Sequence, residues 1–213
     1  DRKPVFDPAG RCWCYYLADG IWVAGGGINN GGIVYSWMKD IAGESDCWEI
    51  DLHRPRPLFL PFLVGERSPN WDAYARGVLF GLSYFHDRDA LMQSTFEAVA
   101  FRIRSIEEML QRVVGEPHRV VVSGGFAISE KGSRVLCDTL GVPVFLSSLP
   151  SAPTKGAFLL SRKVLGEVTT LDQLSPDYFP DNPLLEPIPE RVQFYTELYR
   201  FYLKLYQANA PLS

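Results

Sequence analysis

The order of segments along this chain predicts an α/β fold with both parallel and antiparallel strand pairing. A predicted strand at 118–123, which contains three consecutive valines, ends in two glycines and is followed by a helix at about 130–140. A long segment at about 89–114 has the apolar spacing of an amphipathic helix. Near the start, two aromatic-rich segments within 11–24 flank a turn signal and predict a β-hairpin.

The first helix follows the hairpin directly. The glycine-rich segment 25–32 comes after the second strand, and Gly43 is expected to end the helix that begins near its last glycine. The apolar residues of this helix recur at helical spacing: they are Ile33, Val34, Trp37, Met38 and Ile41.

Residues 44–87 form an irregular, proline-rich insertion. It contains one predicted short strand within 58–64 and a second apolar segment at 77–82. The long helix then begins, and one face of it steps by three and four residues. That face is expected to pack in the core, and its members are Met92, Phe96, Val99, Ile103, Ile106, Leu110 and Val113.

The last part of the chain alternates strands and helices. Beyond the helix at 130–140, Gly141 is a natural helix stop, and the predicted elements are a strand at 143–146, a helix at 153–164, a loop at 166–187 and a helix at about 189–207. The whole order fits one domain, 1–213, with a ribonuclease-H-like core that lacks its first strand. That strand would lie before Asp1, where the chain starts without methionine, and we expect a longer parent protein.

Composition excludes several classes of protein. Hydrophobic residues make up 46% of the 213 residues, and the net charge is −4, from 21 basic and 25 acidic residues. A general nucleic-acid binder needs a basic face, and no apolar run approaches membrane-spanning length. The four cysteines fit no zinc spacing. We expect free thiols, a reducing compartment and therefore the cytoplasm.

The two glycines after the strand at 118–123 suggest a ligand. Because Gly124 and Gly125 lack Cβ atoms, the backbone can turn sharply and a ligand can lie against it. N–H groups at the next helix start would favour an anion such as a phosphate. A plain tight turn is the alternative explanation.

Several motifs occur in one order along the chain. They are Arg11–Tyr15 (RCWCY), Gly26–Trp37 (GGINNGGIVYSW), Gly65–Trp71 (GERSPNW), Gly77–Leu82 (GVLFGL) with Leu91–Glu97 (LMQSTFE), Ser123–Ala127 (SGGFA) and Thr154–Ala157 (TKGA). Together they resemble the FGGY family of carbohydrate kinases, most closely its gluconate kinase branch. Ala90 departs from the family pattern, in which a polar residue is usual.

The resemblance implies the second domain of a two-domain kinase of the actin-like ATPase superfamily, with ATP in the cleft between the domains. By position, Gly32 and Ser36 match residues that line the nucleotide site. Gly125 and Ser129 match residues beside the phosphates and adenosine, and Gly124 supports the turn. Ser129 could instead only cap the following helix.

The resemblance also implies what lies elsewhere. The carboxylate base, a Gly-Thr segment that contacts phosphate, the aspartate that holds Mg²⁺ and most sugar contacts belong to the family's first domain, upstream of Asp1. We therefore expect ATP or ADP to bind here with Mg²⁺ held mainly by that domain, no catalytic residue in this chain, and no transfer by this chain alone. The substrate is expected to be gluconate, on the family resemblance of 29–32; xylulose or another sugar or polyol is the runner-up.

Two other classes stay open at this stage. One is a non-catalytic nucleotide-binding or interaction module. The other is a homodimerisation half that uses the aromatic face of the last helix, although internal packing explains that face equally well; its members are Tyr195, Tyr199, Tyr202 and Tyr206. We also expect a local ion pair between Glu66 and Arg67, and a structural partner for Glu97.

Overall fold

The computed structural model describes residues 3–43, 49–125, 129–147, 151–174 and 185–209. The strands are β1 (Trp13–Ala18), β2 (Ile21–Gly25), β3 (Leu58–Leu60), β4 (Val78–Phe80), β5 (Val120–Val122) and β6 (Val144–Leu146). The helices are α1 (Gly32–Ala42), α2 (Arg88–Val114), α3 (Glu130–Leu140), α4 (Ala152–Val164) and α5 (Pro189–Asn209), with a 3-10 turn at Leu171–Leu174.

Strand pairing is both parallel and antiparallel, as predicted. β1 with β2 and β3 with β4 are antiparallel, whereas β5 with β6 is parallel. Among the described residues these pairs form three separate two-stranded sheets, not one continuous sheet. The predicted first strand is not part of the chain, and its existence stays a prediction.

Local signals set the ends of the helices. The Asp87 side chain accepts a hydrogen bond of 2.8 Å from the backbone N–H of Ala90 at the start of α2. Gly115 ends α2 and Gly141 ends α3, both at positive φ, where a side chain would be strained. α1 ends before Gly43, as predicted.

The long helix α2 is the centre of the fold, and its burial extends beyond the predicted face. It packs against α1, α3 and β3. Glu97 and Arg102, on its polar side, are buried, whereas Phe96 and Ile103 on the predicted core stripe are only partly buried. The predicted face does pack in the core, with Met92 buried and Phe96 and Ile103 packed against the core cluster. The helix is also buried beyond that face, because it has neighbours on several sides.

The C-terminal helix α5 packs its tyrosines inside the domain. Tyr195, Tyr199 and Tyr202 are buried, and their ring centroids lie 6.4, 5.6 and 5.2 Å from that of Phe101 on α2. These three side chains are therefore unavailable as a dimer interface, and the packing explanation is correct. Across the described residues no helix has both the length and the apolar character needed to cross a bilayer.

The segment predicted as an irregular insertion contributes to the core. β3 and β4 lie within it, and Phe59, Leu60 and Phe62 are almost completely buried. Residues 44–48 of this segment lie outside the described residues. The division of the chain into one domain with an insertion stays a prediction.

Candidate functional site

A cavity of about 730 Å³ joins residues that are distant in the sequence. Gly32 at the start of α1 lines it, and so do Gly125 and Ser129 around the glycine turn that follows β5. The structure thus brings together three of the five residues predicted from the sequence. Ser36 and Gly124 are not part of the lining.

The start of α1 presents backbone without side chains to this cavity, because Gly31 and Gly32 are located there. Gly31 is the N-cap residue, and no side chain caps the helix or adds an acidic group to its first turn. The first N–H groups of a helix have no partner within the helix and carry partial positive charge. A Cβ built on Gly32 meets no atom within 4 Å, so this part of the lining has open space above it.

The turn after β5 has the geometry predicted from its two glycines. Gly124 has φ +74°, a left-handed conformation that L side chains rarely adopt. The Ser129 N–H donates to the carbonyl oxygen of Gly125 at 3.1 Å, so a hydrogen bond links these two lining residues. Nothing lies within 4 Å of a Cβ at Gly125, which leaves space for a ligand against the backbone. Residues 126–128 lie outside the described residues.

Ser129 is a helix cap. Its Oγ accepts a hydrogen bond of 3.1 Å from the N–H of Gly132 in the first turn of α3. The capping explanation is therefore correct, and a contact between Ser129 and a ligand stays a prediction. Ser36 is exposed on α1, one turn after Gly32, and a role for its hydroxyl also stays a prediction.

Two aromatic lining residues were missed as site residues from the sequence. Tyr35 and Phe96 both line the cavity, with ring centroids 5.3 Å apart and planes at 60°. Both stand in the motifs quoted above, and Phe96 was assigned to the core because of its helical spacing. The rest of the lining is mainly apolar and comes from α2, β5 and α3, for example Val99, Val122 and Leu136.

The described part of the cavity lining contains no ionisable Asp, Glu, His, Lys or Arg side chain. No group of three or more His, Cys, Asp or Glu residues suited to a metal occurs within the described ranges either. The lining can therefore receive an apolar or aromatic group and donate backbone N–H groups to an anion. It cannot supply a base or a metal site from these residues.

The loop after β3 has different partners from those predicted. Glu66 is not paired with Arg67; it forms a buried ion pair with Arg102 on α2, and it also accepts a hydrogen bond of 2.6 Å from the Tyr206 hydroxyl. Arg67 lies over the ring of Trp71, 5.8 Å from its centroid. The prediction of a local pair was wrong because a buried carboxylate needs a buried cation.

Glu97 has a structural partner, as predicted. Its Oε2 lies 2.9 Å from Nε of Arg56, and both side chains are nearly inaccessible. Burial raises the pKa of Glu97, opposed by the charge of Arg56 and by a hydrogen bond from Gln93. The pair joins the segment 44–87 to α2, and neither residue lines the cavity.

Comparison with known proteins now adds the family. Residues 2–161 match the family model for the C-terminal domain of the FGGY family of carbohydrate kinases. The chain is 30% identical over 222 residues to the gluconokinase of Bacillus subtilis (strain 168), which covers 95% of this chain and 43% of that protein. It is 26% identical over 156 residues to the xylulose kinase of the same strain, covering 73% of this chain and 31% of that protein.

Solved structures of carbohydrate kinases are also similar to this chain. The gluconate kinase from Lactobacillus acidophilus superposes with a TM-score of 0.81 at 26% identity, over 98% of this chain and 44% of that one. A structure described as a xyloylose kinase from Brucella ovis gives a TM-score of 0.86 at 25% identity, over 100% and 45%. The chain thus spans less than half the length of these relatives.

The architecture and these likenesses define the class of domain first: it is a ribonuclease-H-like domain of the actin-like ATPase superfamily, as predicted. The chain belongs to the FGGY family of carbohydrate kinases and matches that family's C-terminal domain.

Proposed function

We propose that this chain is the nucleotide-binding half of an ATP-dependent carbohydrate kinase, with the cavity as the site for ATP and ADP. The observation that carries the proposal is that one cavity is lined by Gly32, Gly125 and Ser129, although α1 and α3 are far apart in the sequence. Membership of a family of carbohydrate kinases supports the reaction class.

The chemistry of the lining suggests how a nucleotide would lie. The uncapped start of α1 would face the phosphates, because helix N-termini bind anions with backbone N–H groups. The aromatic rings of Tyr35 and Phe96 would border the base, which is flat and apolar on its faces. Gly125 would allow close approach, and the Ser129 hydroxyl could reach the ribose or base while it caps α3. Gly124 would support the turn, and Ser36 would approach the ligand from α1.

The phosphoryl transfer itself needs groups that the described part of the cavity lining does not supply. Among the described lining residues there is no carboxylate to hold Mg²⁺ or to accept a proton from a sugar hydroxyl. We therefore assign the metal site, the base and most sugar contacts to chain outside these residues. A mixture of the 213-residue chain, MgATP and gluconate should show no turnover; phosphorylation of gluconate would contradict this part of the proposal.

A strand from outside the 213 residues would extend the sheet formed by β5 and β6. Val120, Val121 and Val122 all line the cavity, although side chains alternate along a strand, so an edge of β5 borders the space. The Val122 carbonyl oxygen accepts from the Ser147 N–H, towards β6, so the backbone groups of Val121 point to the opposite edge. We propose that the first strand expected from the sequence pairs there and leaves the glycine-lined part for nucleotide.

Gluconate is the substrate that we propose first. The gluconokinase likenesses cover nearly the whole chain, and xylulose is the runner-up because xylulose kinases are also similar. The test is a kinase assay on the product of the complete reading frame with gluconate, xylulose and glycerol as alternative acceptors. Turnover with xylulose and none with gluconate would overturn our choice of substrate.

The cytoplasm is the proposed location, because Cys12, Cys14 and Cys137 are free thiols and unpaired cysteines are typical of reducing compartments. A homodimer is also proposed, since one edge of β5 has no partner strand among the described residues and could pair with a second copy. A monomer by light scattering at high concentration would count against this self-association.

The decisive experiment is calorimetric titration of the chain with ADP. Gly125→Asp and the uncharged Gly125→Asn should each weaken binding at least tenfold, about 1.4 kcal/mol, because either side chain occupies the space above the glycine. Gly156→Asp is the control: Gly156 also has open space, and it lies on α4 outside the cavity lining.

Binding that is abolished by both Gly125 variants and retained by the control supports the proposed site. A folded chain that binds ADP equally well with all three variants would refute it. The non-catalytic alternative makes a different prediction: the complete reading frame would bind ADP but phosphorylate none of the acceptors.

A further inference from the structure

Asn30 is a buried amide placed directly before the glycines that line the cavity. It is 3% exposed. Its Nδ2 donates to the carbonyl oxygen of Gly65 at 2.6 Å, and its Oδ1 accepts from the N–H of Val64 at 3.2 Å. Both polar atoms of the side chain are therefore used to hold the loop after β3, which we call the bracket loop (residues 64–70).

Ser68 makes a second connection between the bracket loop and the glycine-rich segment. The Gly27 N–H donates to Ser68 Oγ at 3.2 Å, and the Ser68 N–H donates to the Gly27 carbonyl oxygen at 3.1 Å. A Cβ on Gly26 would lie 3.1 Å from Cβ of Ser68 and 2.8 Å from Ile106, so the two segments are in close contact. Four hydrogen bonds thus join segment 26–30 to the bracket loop.

The bracket loop is itself anchored to two long helices. Arg102 on α2 pairs with Glu66 and donates to the Ser68 carbonyl oxygen at 2.9 Å. Tyr206 on α5 donates to Glu66 at 2.6 Å, and Asn70 Nδ2 donates to Glu66 at 2.9 Å. A continuous set of contacts therefore runs from the core helices to the residue before Gly31.

We propose that Asn30 is a positioning residue for the nucleotide, and that it acts by fixing where α1 starts. No side chain caps α1, so its first turn is located by the residue before its N-cap. With Asn30 bonded to the bracket loop, Gly31 and Gly32 are held on the cavity lining with their backbone exposed to a phosphate. This inference rests on the proposed nucleotide site and names a residue that would act without touching the ligand.

The test compares Asn30→Ala with Asn29→Ala, because Asn29 is the adjacent residue of the same type and is exposed. ADP and adenosine are titrated into each variant, and amide hydrogen exchange is measured for the first turn of α1. Asn30→Ala should weaken ADP about tenfold, since buried hydrogen-bond partners are left unpaired and the phosphate-facing backbone shifts. Adenosine, which lacks phosphates, should lose less than about threefold on the same reasoning.

Hydrogen exchange gives a readout that does not depend on ligand. The Val34 N–H, which donates to the Gly31 carbonyl oxygen at 3.0 Å, should exchange faster in Asn30→Ala than in Asn29→Ala. Ser68→Ala, which removes only the acceptor for Gly27, should shift ADP affinity and exchange in the same direction by a smaller amount. This second variant keeps the test valid if Asn30→Ala fails to fold.

The outcomes distinguish the proposed nucleotide site from the proposed positioning role of Asn30. If the unmodified chain binds no ADP, the proposed function and the positioning role both fail. If it binds ADP, but Asn30→Ala lowers only the melting temperature and keeps the ratio of ADP to adenosine affinity, the positioning role alone is wrong. A selective loss of ADP affinity together with faster exchange at Val34 is the supporting result.

Discussion

Replacing Arg102 with methionine should destabilise the domain, because Arg102 forms a buried ion pair with Glu66. The side chains of Arg102 and Glu66 are 4% and 1% exposed, so removal of the cation leaves a buried carboxylate. Burial acts to lower the pKa of Arg102, but Tyr202 and Glu66 outweigh it and raise that pKa, so the guanidinium stays charged. Loss of one partner of a buried pair costs about 3–5 kcal/mol.

The remaining partners of Glu66 reduce that cost only in part. Asn70 and Tyr206 still donate to its carboxylate, but neither carries a positive charge. Arg102 also lies 5.0 Å from the ring centroid of Phe62, a contact that methionine keeps only as apolar packing. For a domain of this size, about 2–4 °C per kcal/mol gives a fall in Tm of roughly 6–20 °C.

Urea unfolding and thermal unfolding at neutral pH measure the change. The control is Arg162→Met, which breaks the Arg162–Glu167 pair at 2.8 Å, whose side chains are 37% and 50% exposed. This exposed pair should contribute about 0–1 kcal/mol. Adding Glu66→Gln to Arg102→Met should recover part of the loss, because a neutral amide no longer carries a buried charge.

Two results would refute this reasoning. One is an equal effect of Arg102→Met and Arg162→Met, which would mean that burial does not determine the energy of the pair. The other is a double variant, Arg102→Met with Glu66→Gln, that is less stable than Arg102→Met alone.

Three further predictions concern other parts of the chain. Ser129→Ala removes the cap on Gly132 and should cost about 1 kcal/mol in urea unfolding; no loss would contradict the cap. Burial, and then Glu108, raise the pKa of Glu107, so its contribution to stability falls as pH rises above the ordinary carboxyl pKa. Glu107→Gln should therefore gain about 0.5 kcal/mol at pH 7 and nothing at pH 3, and an equal gain at both pH values would be against it. Burial raises the pKa of Cys137 to about 11, so Cys137→Ala should leave the thiol labelling of the native protein unchanged.

Local features of the fold were predicted well from the sequence. The hairpin, the helix ends at Gly43 and Gly141, and the turn at Gly124 follow from conformational limits of single residues and short stretches. The family was also recognised from motifs, because their residues stand in a fixed order along the chain. None of these features requires knowledge of which segments meet in space.

The partners of buried polar groups could not be predicted in this way. Glu66 was expected to pair with its neighbour Arg67, and the structure pairs it with Arg102, 36 residues away. Asn30 was quoted only as part of a motif, yet both atoms of its amide bind the bracket loop. A buried charge or amide takes whichever partner the fold places within about 3 Å, and spacing along the chain does not reveal it.

The sequence by itself determined which residues turn, cap and belong to the family, since backbone limits and motif order are properties of short stretches of chain. Only the tertiary structure decided that Gly32, Gly125 and Ser129 line the same cavity and that Phe96 faces it from α2. It also decided that α2 is buried on several sides, because burial depends on every element that packs around a helix.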